Sequence, residues 1–212
     1  MDKRTYCEYY CSLLKIKQIF IFTFCTANDY NSRSIKICLF LFSFVLTYTA
    51  NTVFFDESII HKIFIDKGKY NYINQIPHML YSSLISFNIN TILKCLFLPE
   101  QNVIEIKNNN NNNTKVMINK YKKFLKKKYI LFFIFIFSFL LLFWYYISCF
   151  CVVYQNTQIH VIINTLISFG LCFLYPFGLS LLPGIFRIPS LRTSLTDKEC
   201  LYKFSQMFQT IF

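Results

Sequence analysis

Cysteines, histidines and a crowd of lysines are the residues of this chain whose types could do chemistry. A metal site needs three or four His, Cys or carboxylate ligands brought together at short, recurring spacings. His61, His78 and His160 have no partner at such a spacing, and Cys38, Cys95 and Cys172 read as small residues embedded in apolar stretches. Cys149-Phe-Cys151 fits a free pair better than a disulfide, while Cys7 and Cys11, one helical turn apart, fit S-acylation beside a membrane. No HExxH, glycine-rich phosphate loop or nucleophile elbow occurs. The expectation is a protein that is not an enzyme and holds no cofactor and no metal.

A second pattern points to association rather than catalysis. Ser43, Thr47 and Asn51 recur every fourth position, as do His78, Ser82, Ser86, Asn90 and Lys94, and then His160, Asn164, Ser168, Cys172, Pro176, Ser180 and Gly184. Residues four apart share one ridge of a helix. Lipid tails drive no hydrophobic association between helices, so close backbone approach and side-chain hydrogen bonds must do it. A conduction path would call for ionisable groups at depth, and no Asp or Glu lies in any of the apolar stretches. The expected helix-packing residues are therefore Ser43, Thr47, Asn51, Ser82, Ser86, Asn90, Asn164, Ser168, Cys172 and Pro176, with Pro176 kinking its helix.

The elements that carry these ridges are apolar runs of about 20 residues, enough to cross a hydrocarbon core of about 30 Å. They are Ile35–Phe55, Ile76–Leu98, Tyr129–Tyr154 and His160–Ile185. The expected fold class is all-α, an integral membrane protein with four transmembrane helices. Spans one, two and four carry the ridges and should pack together. Span three offers only Ser138 in its centre and should face lipid. Ile19–Ala27 is too short to span and suits an interfacial helix. A competing reading makes Ile19–Cys25 the core of a cleaved signal peptide.

Orientation follows the positive charges. Lys3, Arg4, Lys15, Lys17 and Arg33 precede span one, with Lys36 at its edge; a lysine-rich segment ending at Lys128 separates spans two and three; Arg187, Arg192, Lys198 and Lys203 follow span four. The opposite side holds Lys62, Lys67 and Lys69, balanced by Asp56, Glu57 and Asp66. Four spans with both termini cytoplasmic satisfy every segment, and Trp144, Tyr145 and Tyr146 then form an aromatic belt at the far interface. The net charge of +12 comes from lysines beside apolar spans, so no nucleic-acid partner is expected.

The expected organisation is a cytoplasmic segment 1–34, a first transmembrane hairpin 35–98, a disordered Asn/Lys-rich cytoplasmic loop 99–128, a second hairpin 129–185 and a cytoplasmic tail 186–212. The loop holds the low-complexity run Asn108–Asn113. Lys122, Lys123, Lys126, Lys127 and Lys128 anchor the topology and can attract anionic lipid.

Three short stretches carry a resemblance. They are "NSRSIKICLFL" at Asn31–Leu41, "SFNINTIL" at Ser86–Leu93 and "LISFGLCFLYPFGL" at Leu166–Leu179. With the order of spans and loops, residues 30–187 resemble the membrane segment that follows the lipoxygenase-like domain in the large receptor-like polycystins. Asn88 stands where that family usually has Pro, and Tyr175 where it has Gln. The six-span channel region has no counterpart here, so the resemblance implies an isolated auxiliary module, a fragment of a larger gene or a divergent relative, and conduction is not carried over. The expected function is a non-enzymatic, multi-pass assembly or auxiliary module of a receptor- or channel-like complex. Its expected partners are the lipid bilayer and helix-mediated proteins, or further copies of itself. The alternatives are a small-solute transporter or a fragment of a larger membrane protein.

Overall fold

The computed structural model describes residues 5–25, 31–65, 72–98, 114–192 and Lys203. Among these residues every regular element is helical: α1 (Tyr6–Lys17), α2 (Ile19–Phe24), α3 (Arg33–Val53), α4 (Glu57–Ile65), α5 (Tyr72–Phe97), α6 (Thr114–Val153), a 3-10 turn Gln155–Thr157, and α7 (Gln158–Arg192). The chain forms two compact units, one of Met1–Ala27 with Gly170–Phe212, the other of Asn28–Phe169.

In the first unit, α1 starts at a capping box. The Thr5 N–H donates to the Glu8 carboxylate at 2.8 Å, and the Thr5 hydroxyl accepts from the Glu8 N–H at 3.4 Å. Lys15 and Lys17 in the last turn suit the negative end of the helix dipole. Gln18 ends α1 and caps α2, accepting from the Ile21 N–H. Within the expected interfacial stretch, Ile19–Phe24 forms the short second arm of a helical pair.

That pair packs on the later part of α7. The Tyr10 hydroxyl donates to the Phe177 carbonyl at 3.1 Å. Burial, with Tyr6 and Cys11 adding to it, pushes the Tyr10 phenol above its usual value. Phe20 and Phe173 stand 6.2 Å apart, and the Tyr6 ring fills the place where a side chain on Gly184 would have to go.

The second unit is built around α3. Ile35, Leu39, Phe42 and Leu46 recur on its buried face and meet Leu93 and Phe97 of α5 with Phe132, Ile136 and Phe143 of α6. Aromatic pairs tie this cluster, with Phe42–Phe143 at 5.9 Å and Phe97–Phe132 at 5.1 Å. A second cluster joins Phe55, Ile59 and Ile63 to Phe150 and Val161. Span three, expected to face lipid, therefore has one packed stripe, while Leu131, Ile134, Phe137, Leu142 and Trp144 remain exposed.

Three differences from the sequence reading concern extents. Residues 114–128, expected within a disordered loop, belong to α6, which at 40 residues is about 60 Å long. α7 continues through the expected tail boundary to Arg192, and α4 occupies part of the connection between the first two expected spans. Asn108–Asn113 and all of the tail beyond Arg192 except Lys203 lie outside the described residues.

Among the described residues three helices are long and apolar enough to cross a membrane, over Arg33–Val53, Tyr121–Val153 and Gln155–Ile185. α5 is not among them. Its 26 residues suffice in length, but Asn74, Gln75, His78, Ser82, Ser83, Ser86, Asn88, Asn90 and Lys94 lower its mean hydropathy.

Candidate functional site

Serine, threonine and asparagine at four-residue spacing leave little bulk on one ridge of α3 and α5, and the helices approach there. Ser43 and Thr47 are wholly buried, as are Ser82, Ser86 and Ser168, while Asn51, Asn90 and Asn164 are at most 6% exposed. Several of these groups first satisfy their own helix. Thr47 donates to the Ser43 carbonyl at 2.8 Å, Asn51 to the Thr47 carbonyl at 3.0 Å, and Ser82 to the His78 carbonyl at 2.8 Å.

Three other bonds run between helices. Asn90 of α5 donates its amide to the Ser43 hydroxyl of α3 at 2.6 Å. Ser168 of α7 donates to the Asn51 Oδ1 of α3 at 3.2 Å. Asn164 of α7 donates to the Gln75 Oε1 of α5. Each pair among α3, α5 and α7 thus shares a side-chain bond, and the bonds fall at different levels along the helices.

At about 0.6 kcal/mol each, such bonds contribute modestly, whereas a buried group that loses its partner costs about 1–3 kcal/mol. They therefore specify which faces meet more than how tightly. Ser86 Oγ and Asn90 Oδ1 lie in the same seam with no hydrogen-bond partner among the described residues.

Gln75 escaped the sequence reading. It sits three residues before His78, where the expected ridge begins, and its only signal is one further polar residue in the same turn of helix. Cys172 and Pro176 are buried as well but lie in the Gly170–Phe212 segment of the other unit, so the seam of the second unit does not include them.

The second expected group lies at the start of the apolar part of α6. Lys122, Lys123, Lys126 and Lys127 are exposed, and Lys128 is half-buried. No side chain of the five makes a hydrogen bond or ion pair among the described residues, and α6 contains no Asp or Glu. Like charges at i and i+4 cost a helix about 0.2–0.5 kcal/mol per pair, so this stretch carries uncompensated repulsion.

Among the described residues no three His, Cys, Asp or Glu lie together as a metal site would require. Cys149 and Cys151 carry free thiols, and Cys7 and Cys11 are exposed free thiols on α1.

No protein-family model, curated protein or solved structure matches this chain. These comparisons lend no support to the resemblance to the polycystin membrane segment.

Proposed function

We propose that this chain is a non-enzymatic membrane protein that crosses the bilayer four times, with both termini cytoplasmic, and serves as an assembly or auxiliary module of a receptor- or channel-like complex. Inverted burial is the observation that carries this reading. Ser, Thr, Asn and Gln occupy much of the interior of the second unit, while Leu, Ile, Phe and Trp cover much of its outside. A water-soluble domain does the opposite, because exposed apolar area is costly in water and buried polar groups must each be paired.

The same contrast supports α5 as the fourth span. Gln75, Ser82, Ser83, Ser86 and Asn90 lower its average hydropathy but are buried. Ile73, Ile76, Leu80, Tyr81, Leu84, Ile85, Ile92 and Leu96 make up most of its exposed surface, which Asn74 and Asn88 interrupt. What meets lipid is the outer surface, not the average.

Assembly is the role such a body suits, since α6 turns a broad aromatic and aliphatic face outward and the seam uses groups that join helices. The test is the mass of the purified protein in neutral detergent, together with crosslinking through single cysteines on the outer face of α6, Phe137→Cys and Leu141→Cys. Covalent pairs at these sites, or a mass above that of one 25.4 kDa chain plus detergent, are expected. A monomer at every concentration, with no crosslink and no stoichiometric partner, would overturn the assembly reading.

One observation favours small-solute transport as a second reading. Ser86 Oγ and Asn90 Oδ1 are buried polar atoms without a partner among the described residues, and a passing polar solute can satisfy such groups. Flux measured in proteoliposomes, lost in Asn90→Leu with the fold intact, would favour transport over assembly.

A further inference from the structure

We propose that the lysine face of α6 is a binding site for anionic lipid headgroups. The inference rests on the reading of α6 as a membrane span. Lys122, Lys123, Lys126 and Lys127 fall within an arc of about 140° on the helix and within about 7.5 Å along its axis. All four are exposed, and none has an anionic partner in its own chain among the described residues. A long helix that holds four like charges on one face, with no acid of its own to neutralise them, is suited to an anion supplied from outside.

Position selects the source of that anion. Tyr129 begins the apolar run directly after Lys128, so the lysines lie within about two helical turns of the hydrocarbon edge. The headgroup layer on each side of a bilayer is about 5–8 Å thick. The arc, about 3–10 Å beyond that edge, therefore overlaps this layer and reaches its outer surface. Because the basic stretch and the span are one uninterrupted helix, the lysines cannot swing away from the interface as they could on a free loop. A soluble polyanion such as nucleic acid would meet the same charges, but nothing else in α6 is placed to favour it over lipid.

The test uses the full chain purified in neutral detergent and titrated with phosphatidylserine or with phosphatidylcholine of equal chain length. Bound lipid is counted by native mass spectrometry. The expected result is at least a tenfold preference for phosphatidylserine at low salt, shrinking as ionic strength rises. Each Lys→Gln change at the four positions should weaken phosphatidylserine binding about fivefold and leave phosphatidylcholine unchanged.

Equal binding of the two lipids overturns the proposal. So does a preference that survives in K122Q/K123Q/K126Q/K127Q. Competition by inositol hexakisphosphate or a short oligonucleotide as effective as added phosphatidylserine also overturns it, and would point to a soluble polyanion instead. The wild-type lipid preference and its salt dependence decide the matter even if the fourfold variant does not fold. Extraction of membranes with alkaline carbonate separates the two layers of argument. Release of the wild-type chain would sink the membrane reading itself, whereas retention without lipid preference sinks only the headgroup site.

Discussion

Asn90 of α5 donates its side-chain amide to the hydroxyl of Ser43 on α3 at 2.6 Å, and Ser43 is wholly buried. A bond of this kind needs the two helix backbones close together, which a serine permits and a leucine forbids. The Ser43–Asn90 pair is therefore both a contact and a gauge of the distance between two helices.

Removing one member should cost more than the bond itself contributes. Ser43→Ala is expected to lower stability by about 1–2 kcal/mol, because the Asn90 amide stays buried with nothing to donate to. S43A/N90A should cost less than the sum of the single changes. Reversible unfolding in mixed detergent measures this. Strict additivity would mean the two side chains do not interact.

The fourth crossing is open to labelling. Leu84→Cys and Ile85→Cys sit on the exposed face of α5 near its middle. In a cysteine-depleted background, four spans predict that neither reacts with a membrane-impermeant maleimide from either side of sealed vesicles. Rapid labelling at both would leave three crossings and place α5 in water.

Packing in α6 should be one-sided. Phe132 is fully buried and Phe137 is 63% exposed. In a bilayer the transfer term nearly vanishes, so Phe132→Ala loses mainly packing, about 2 kcal/mol through the cavity left behind. Phe137→Ala should change stability little. Equal effects at the two sites would contradict the packed stripe.

The contact between Gly184 and Tyr6 can be tested by a pair of substitutions. Gly184→Val puts a branched side chain where the Tyr6 ring lies and is expected to cost about 1–3 kcal/mol by overpacking. Tyr6→Ala made together with it should recover part of that loss. The readout is protease resistance of the α1 segment in detergent. A double variant no more resistant than Gly184→Val alone would show that the ring is not the obstacle.

Helical periodicity made much of the interior legible. A four-residue repeat fixes a common side for Ser43, Thr47 and Asn51, for Ser82, Ser86 and Asn90, and for Asn164 and Ser168, whatever surrounds them. All of these are buried. The stripe of Phe132, Ile136 and Phe143 was illegible for the opposite reason. In a run where nearly every residue is apolar, no pattern marks the side that packs.

By itself the sequence determined an all-helical chain, where long apolar runs fall, and which residues share a ridge, because these depend on composition and on the local geometry of one helix. Only the tertiary structure decided that Ser168 meets Asn51, that Asn164 reaches Gln75 outside the expected ladder, and that α3 packs against both α5 and α6. Those pairings depend on how far each helix slides along its neighbour, which packing sets and no local repeat encodes. The extent of α6 back to Thr114 has a simpler cause. Once the apolar run has formed a helix, each added residue gains a hydrogen bond without a new nucleation cost, and lysine is a good helix former. A stretch whose composition reads as loop is then drawn into the helix beside it.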